Sequence, residues 1–209
     1  MYYKIALFAT LALIAFSGCG EQDIDDKNPG FENQLFEAKQ GTVTYVKTVW
    51  ADERPIINEI VLIFDDYGLK FREEVEGGSS LIVDGQTKKA YSLLATTKTY
   101  VEHASYDAYA SLISQFIYLG DDGQSVWSVF PEYSKEPSKI IAGKQCSAVS
   151  WLVDGKTIER AGWKRIIFWD QYYEGQPETD GSVRLEAKSF TESIPENSFS
   201  IPGGFLKGN

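Results

Sequence analysis

The sequence predicts a mainly β fold, with antiparallel strands and one main helix laid across them. Three observations predict it. Over residues 42–103 apolar and polar side chains alternate in short runs separated by turn dipeptides. Runs of the same kind resume over residues 139–190. Between these blocks, residues 106–119 stand out as the stretch whose apolar residues recur at helical spacing.

Taken in order, residues 31–39 place Phe31, Leu35, Phe36 and Ala38 among polar side chains, and one or two helical turns are expected there. Residues 42–50 are rich in Val, Thr and Tyr, which suit a strand. Residues 57–64 form an almost continuous apolar run that ends at Asp65-Asp66-Tyr67-Gly68. Both faces of that run are apolar, with Ile60, Leu62 and Phe64 assigned inside and Val61 and Ile63 outside. Residues 69–75 alternate, with Leu69, Phe71 and Val75 on one side and Lys70, Arg72 and Glu74 on the other. Gly77-Gly78 turns the chain into residues 80–84, and Asp84-Gly85 turns it into Lys89–Leu94. Thr99–His103 closes this meander.

The helix over residues 106–119 has Ser105 as N-cap, Asp107 in its first turn and Gly120 beyond its end. Tyr106, Tyr109, Ala110, Ile113, Phe116 and Ile117 make its apolar face. Residues 121–138 read as irregular yet carry Val126, Trp127, Val129, Phe130 and Tyr133, so they must cover something or meet a partner. Strands follow at 139–153, 156–161, 164–170 and 182–190, with a hairpin turn at Asp154-Gly155.

The 209 residues suffice for one domain with a substantial core. The net charge of −10 supplies no basic stripe, which argues against a nucleic-acid partner. It also means that membrane contact must come from something other than a polybasic patch. The first eighteen residues supply it. Lys4 precedes an apolar run over residues 5–16, too short to span a bilayer, and small residues follow, as in a secretory signal peptide. The cleavage zone Phe16-Ser17-Gly18-Cys19 resembles the bacterial lipobox. The resemblance implies that Cys19 becomes the N-terminus and carries acyl chains of the palmitate type, a membrane anchor once two or more chains are present. Polar residues 20–33 then read as a flexible tether. Gly20 resembles lipoproteins released to the outer membrane, and the acidic run after Cys19 resembles a surface-export signal, so the expected location is the cell envelope, periplasmic or surface-exposed.

Two further stretches carry a resemblance: Ile140-Ile141-Ala142-Gly143-Lys144-Gln145-Cys146, and the ending Phe199-Ser200-Ile201-Pro202-Gly203-Gly204-Phe205. With the element order, they make residues 34–209 similar to the LolA/LolB-type lipoprotein-carrier superfamily and its lipoprotein relatives. The resemblance implies a curved, unclosed antiparallel sheet, a half-barrel, whose concave face is crossed by one main helix and a possible short second one around an apolar cavity. Periodicity and resemblance together nominate Tyr45, Leu62, Phe64, Phe71, Tyr91, Phe116 and Trp127 as the lining of a site for a lipid, an acyl chain or another apolar ligand. The alternative is a structural or interaction lipoprotein with a filled core and an envelope protein as partner.

No catalytic pattern emerges, and no cofactor or metal is expected. His103 is the one histidine, and Cys146 is the one thiol left once Cys19 is acylated, which leaves too few ligands for a zinc cluster. Glu73 and Glu74 are adjacent on a strand and so face opposite sides. Cys146 is expected to be a small buried hydrophobe.

Overall fold

The computed structural model describes residues 34–52, 54–118 and 133–208. Turn chemistry sets the path. Six strands follow one another as a meander: β1 (Gly41–Ala51), β2 (Arg54–Asp65), β3 (Lys70–Val75), β4 (Ser79–Asp84), β5 (Lys89–Leu94) and β6 (Thr99–His103). Five more form a second one: β7 (Tyr133–Ile141), β8 (Lys144–Val153), β9 (Lys156–Trp163), β10 (Ile166–Glu174) and β11 (Val183–Thr191). A two-residue strand, β12 (Leu206–Lys207), ends the series.

All twelve belong to one curved, unclosed sheet in the order β12-β6-β5-β4-β3-β2-β1-β11-β10-β9-β8-β7. Neighbours are antiparallel except β12, which lies parallel to β6. The pairing of β1 with β11 joins the two meanders, and a bulge at Thr44/Tyr45 interrupts its register. A second bulge, at Ile167/Trp169, lies between β10 and β9. Bulges of this kind raise local twist and bend the sheet.

Several expectations need correction. The run 139–153 is two strands, because Ala142 and Gly143 both take positive φ (48° and 73°) and close a tight hairpin. The first of them, β7, begins at Tyr133, inside the stretch read as irregular. Residues 34–40 are not helical. Their N–H groups reach across the chain: Leu35 and Phe36 donate to the Tyr67 carbonyl and Glu37 to that of Lys164. This strap plugs Phe36, fully buried, edge-on against Phe64 at 4.7 Å between ring centres. Gly68, at φ 91°, has no Cβ where one would meet the Phe36 ring.

The helix is shorter than its apolar spacing predicts. Only α1 (Tyr106–Ala110) is α-helical, and Ser111–Phe116 continues as a 3-10 helix. Ser105 has the extended backbone of an N-cap but no side-chain cap bond. The Ser111 hydroxyl donates to the Ala108 carbonyl, a local bond that competes with the α pattern. Ile117 is already extended and bridges to Ile166, while the Tyr118 N–H donates to the Arg165 carbonyl. That pull toward β10 tightens the preceding turn.

Candidate ligand-binding face

Alternation sends one set of side chains from β1–β4 to the face under the helix. Register aligns Tyr45 with Ile60 and Ile60 with Val75, Leu62 with Glu73 and Glu73 with Leu81, and Phe64 with Phe71 and Phe71 with Val83. Ile113 and Phe116 descend onto them from the 3-10 segment. Tyr45, Leu62, Phe64, Phe71 and Phe116 therefore meet in one packed cluster, each 1% exposed or less. The Tyr45 and Phe116 rings lie 5.3 Å apart. The Tyr45 hydroxyl donates to the Ile167 carbonyl at 2.9 Å, and burial holds the phenol far above its usual range, so it stays protonated.

Tyr91 is not among them. It pairs with Ile82 and Glu102 on the opposite, outer face, its ring 6.2 Å from that of Tyr100. The inner side of β5 carries the small residues Ala90 and Ser92, with Leu94 at its end, and α1 packs against β4 and β5. Trp127 and Cys19 lie outside the described residues.

Polar groups border the cluster. Glu73 shares the inner face with Phe71 and Val75, and the Gln115 side-chain amide donates to it at 3.3 Å. Burial raises the Glu73 carboxyl above its ordinary value, partly offset by Lys47. Glu73 was legible in the alternation itself, since the parity that selects Phe71 and Val75 also selects it, but an apolar pattern gives a carboxylate no weight. Glu74 points the other way and pairs with Arg72 at 2.6 Å.

His103 has a structural place. Its ring stacks on Tyr109 at 3.8 Å, and Nε2 lies 2.7 Å from the Ser92 hydroxyl. No carboxylate completes a triad around it among the described residues. Cys146 is fully buried, with its Sγ 3.6 Å from the Lys144 carbonyl, and burial pushes its thiol up to about 11. It is a protonated, shielded group at neutral pH rather than a nucleophile. Among the described residues no three His, Cys, Asp or Glu side chains gather as a metal site.

The outer face is covered differently. Residues 192–205 cross from β11 toward the β6 edge, and Arg72 Nη1 donates to the Ser198 carbonyl beneath them. Ile63, 5% exposed, packs there, on the side away from Leu62. A cleft of about 500 Å³ remains between Ile63, Arg72 and Glu74 and the segment from Pro195 to Gly203.

No family model matches the chain, and no curated protein matches it. Solved structures with a similar chain trace include an uncharacterized conserved protein from Thermus thermophilus, at 8% identity and TM-score 0.48, covering 82% of this chain and 90% of that one. MucB is similar at 12% identity and TM-score 0.42, covering 83% of this chain and 62% of that one. A LolA superfamily protein from Nitrosomonas europaea is similar at 8% identity and TM-score 0.34, covering 81% of this chain and 93% of that one.

Proposed function

We propose that the protein is a non-catalytic, lipid-anchored component of the cell envelope that holds an apolar or amphiphilic ligand, such as an acyl chain, against the helix-covered face. In this reading Cys19 carries the anchor, residues 19–33 are the tether and residues 34–209 the binding domain. The observation that supports it is the contrast between that face and its cover. The face is mostly aromatic and aliphatic, with Glu73 set among Leu62, Phe71 and Val75. The cover is one α-helical turn and a 3-10 segment, without a side-chain N-cap bond, fastened by the two buried side chains Ile113 and Phe116. Six residues of 3-10 helix exceed the usual three or four. Displacing it lets an acyl chain take the places of Ile113 and Phe116 over Tyr45, Leu62, Phe64 and Phe71, while Lys47 and Glu73 meet a polar head.

The complete burial of Ile113, Phe116, Tyr45, Leu62, Phe64 and Phe71 favours a second reading, an interaction protein whose core admits nothing. Titration with N-phenyl-1-naphthylamine separates the two. A cover that must open taxes affinity by the open fraction, so loosening it tightens apparent binding. The carrier reading expects saturable dye binding, tighter in a folded Phe116→Ala variant. Absence of saturable binding in both proteins supports the interaction reading instead.

A further inference from the structure

Two hairpin tips meet at one end of the sheet. The tip between β7 and β8 carries Ile140 and Lys144, and the tip between β9 and β10 carries Trp163, Lys164 and Arg165. Lys144 Nζ lies 4.6 Å from the centre of the Trp163 ring, and Lys164 Nζ lies 4.7 Å from the same ring. Ile140 is 81% exposed. Lys70, Arg72, Arg160 and Arg184 are all ion-paired. Lys144, Lys164 and Arg165 are in no ion pair among the described residues. Two lysines against one tryptophan, with Arg165 next to one of them in sequence, make a local positive cluster on a chain of net charge −10.

The backbone carries a second sign. Lys164 and Arg165 both sit in the left-handed region, at φ 48° and 63°. A two-residue hairpin turn of that shape favours Asn-Gly or Asp-Gly, as at Asp154-Gly155 between β8 and β9. Left-handed backbone costs an ordinary L residue roughly 1–2 kcal/mol. Such strain persists where the side chains serve a purpose that the backbone opposes.

The chain also enters the domain here. Arg165 Nη1 donates to the Gln34 carbonyl at 3.1 Å, and the Glu37 N–H donates to the Lys164 carbonyl at 3.1 Å. The described chain thus begins, at Gln34, beside these tips.

We propose that the two tips are a membrane-docking surface for an anionic phospholipid bilayer. Trp163 and Ile140 sit at headgroup level, and Lys144, Lys164 and Arg165 face the phosphates. This inference rests on the lipid-anchor reading of Cys19. In that reading a coil of the length of residues 19–33 spans about 20 Å on average, which holds Gln34 close to the surface. Electrostatics then chooses the orientation. The acidic bulk is repelled by anionic lipid, and the tips are attracted by ~1 kcal/mol per cation near the surface. Tryptophan and lysine both place an apolar body against lipid and a polar end in water.

The test uses the full lipidated chain in vesicles, labelled with an environment-sensitive fluorophore at Ile140→Cys or, at the opposite end of the sheet, at Ile57→Cys. In vesicles containing phosphatidylglycerol, the label at 140 shifts to the blue and is quenched by headgroup-level spin-labelled lipid, and the label at 57 is not. Lys144→Gln with Lys164→Gln lowers the docked-to-free ratio roughly 30-fold, which is ~1 kcal/mol per lysine removed. Replacing the anionic lipid with phosphatidylcholine also abolishes the quenching. A chain that floats with vesicles but shows no quenching at 140, or equal quenching at 57, overturns the docking surface and leaves the anchor standing. Quenching that survives the double variant also overturns it. A chain that does not float overturns anchor and docking together.

Discussion

Phe116 tests whether the inner face is a packed core or a standing void. It is fully buried between Tyr45 and the rest of the cluster. Phe116→Ala should therefore cost about 3–5 kcal/mol, the range for a large aromatic removed from a filled site. Denaturant midpoints at unchanged m-value measure it, and a cost well below that range would mean that the cover rests on empty space. Glu73 gives a pH signature of definite sign. Its carboxyl is raised, so the folded chain holds its proton more tightly than the unfolded chain does. Stability falls as pH rises from the ordinary glutamate value of 4.5 through the raised one, and stays lower above it. Glu73→Gln should be more stable than the parent at about pH 7, with the gap shrinking near pH 4. A gap that widens in acid would contradict the burial of this carboxyl. At this scale the sequence was legible wherever size and parity agreed, as at Ile60, Leu62, Phe64 and Phe71. It misled at Tyr91, where the large ring drew attention and the strand turns its small residues Ala90 and Ser92 inward.

Among the elements, the six-stranded meander was legible within a residue except at the start of β2, which begins at Arg54 rather than Ile57, because alternation and turn dipeptides are local signals. The covering helix and the strap at 34–40 were not, because distant groups decide them. The strap's N–H groups go to Tyr67 and Lys164, and the end of the 3-10 segment is pulled to β10 by Ile117 and Tyr118. No periodicity within either segment records those partners. The β9–β10 turn was hidden for the opposite reason: Lys164-Arg165 carries none of the residues that announce a left-handed hairpin. Lys164→Asn should relax it and stabilise the fold by about 1 kcal/mol, since asparagine tolerates that backbone. An unchanged or lowered denaturant midpoint would show that the turn holds no strain. The cover itself, short and without a side-chain N-cap bond, should exchange its amide hydrogens faster than β1 and β2, the central strands of the sheet.

At the scale of the molecule, the two sheet edges are managed rather than left open. The β7 edge carries Pro137, Lys135 and Lys139 and a register shift between Glu136 and Lys139, and the other edge is the two-residue β12. These features oppose strand addition by a second chain. Recognition is thereby left to faces and tips. The sheet presents its apolar side to the cover, its outer side to residues 192–205, and its Lys144 and Trp163 end beside Gln34. Among the described residues no helix is long and apolar enough to cross a membrane. Contact with lipid in this reading comes from Cys19 and the tips, while the ligand is held between sheet and cover. Native mass spectrometry of the full chain, extracted from its own membranes in mild detergent, tests that most directly. A carrier should release, beyond the mass of its own acylated chain, one discrete apolar molecule, and Phe116→Ala should change its occupancy. A single mass for the acylated chain, unaltered when oleate is added in excess, would contradict the carrier and leave a filled-core interaction protein.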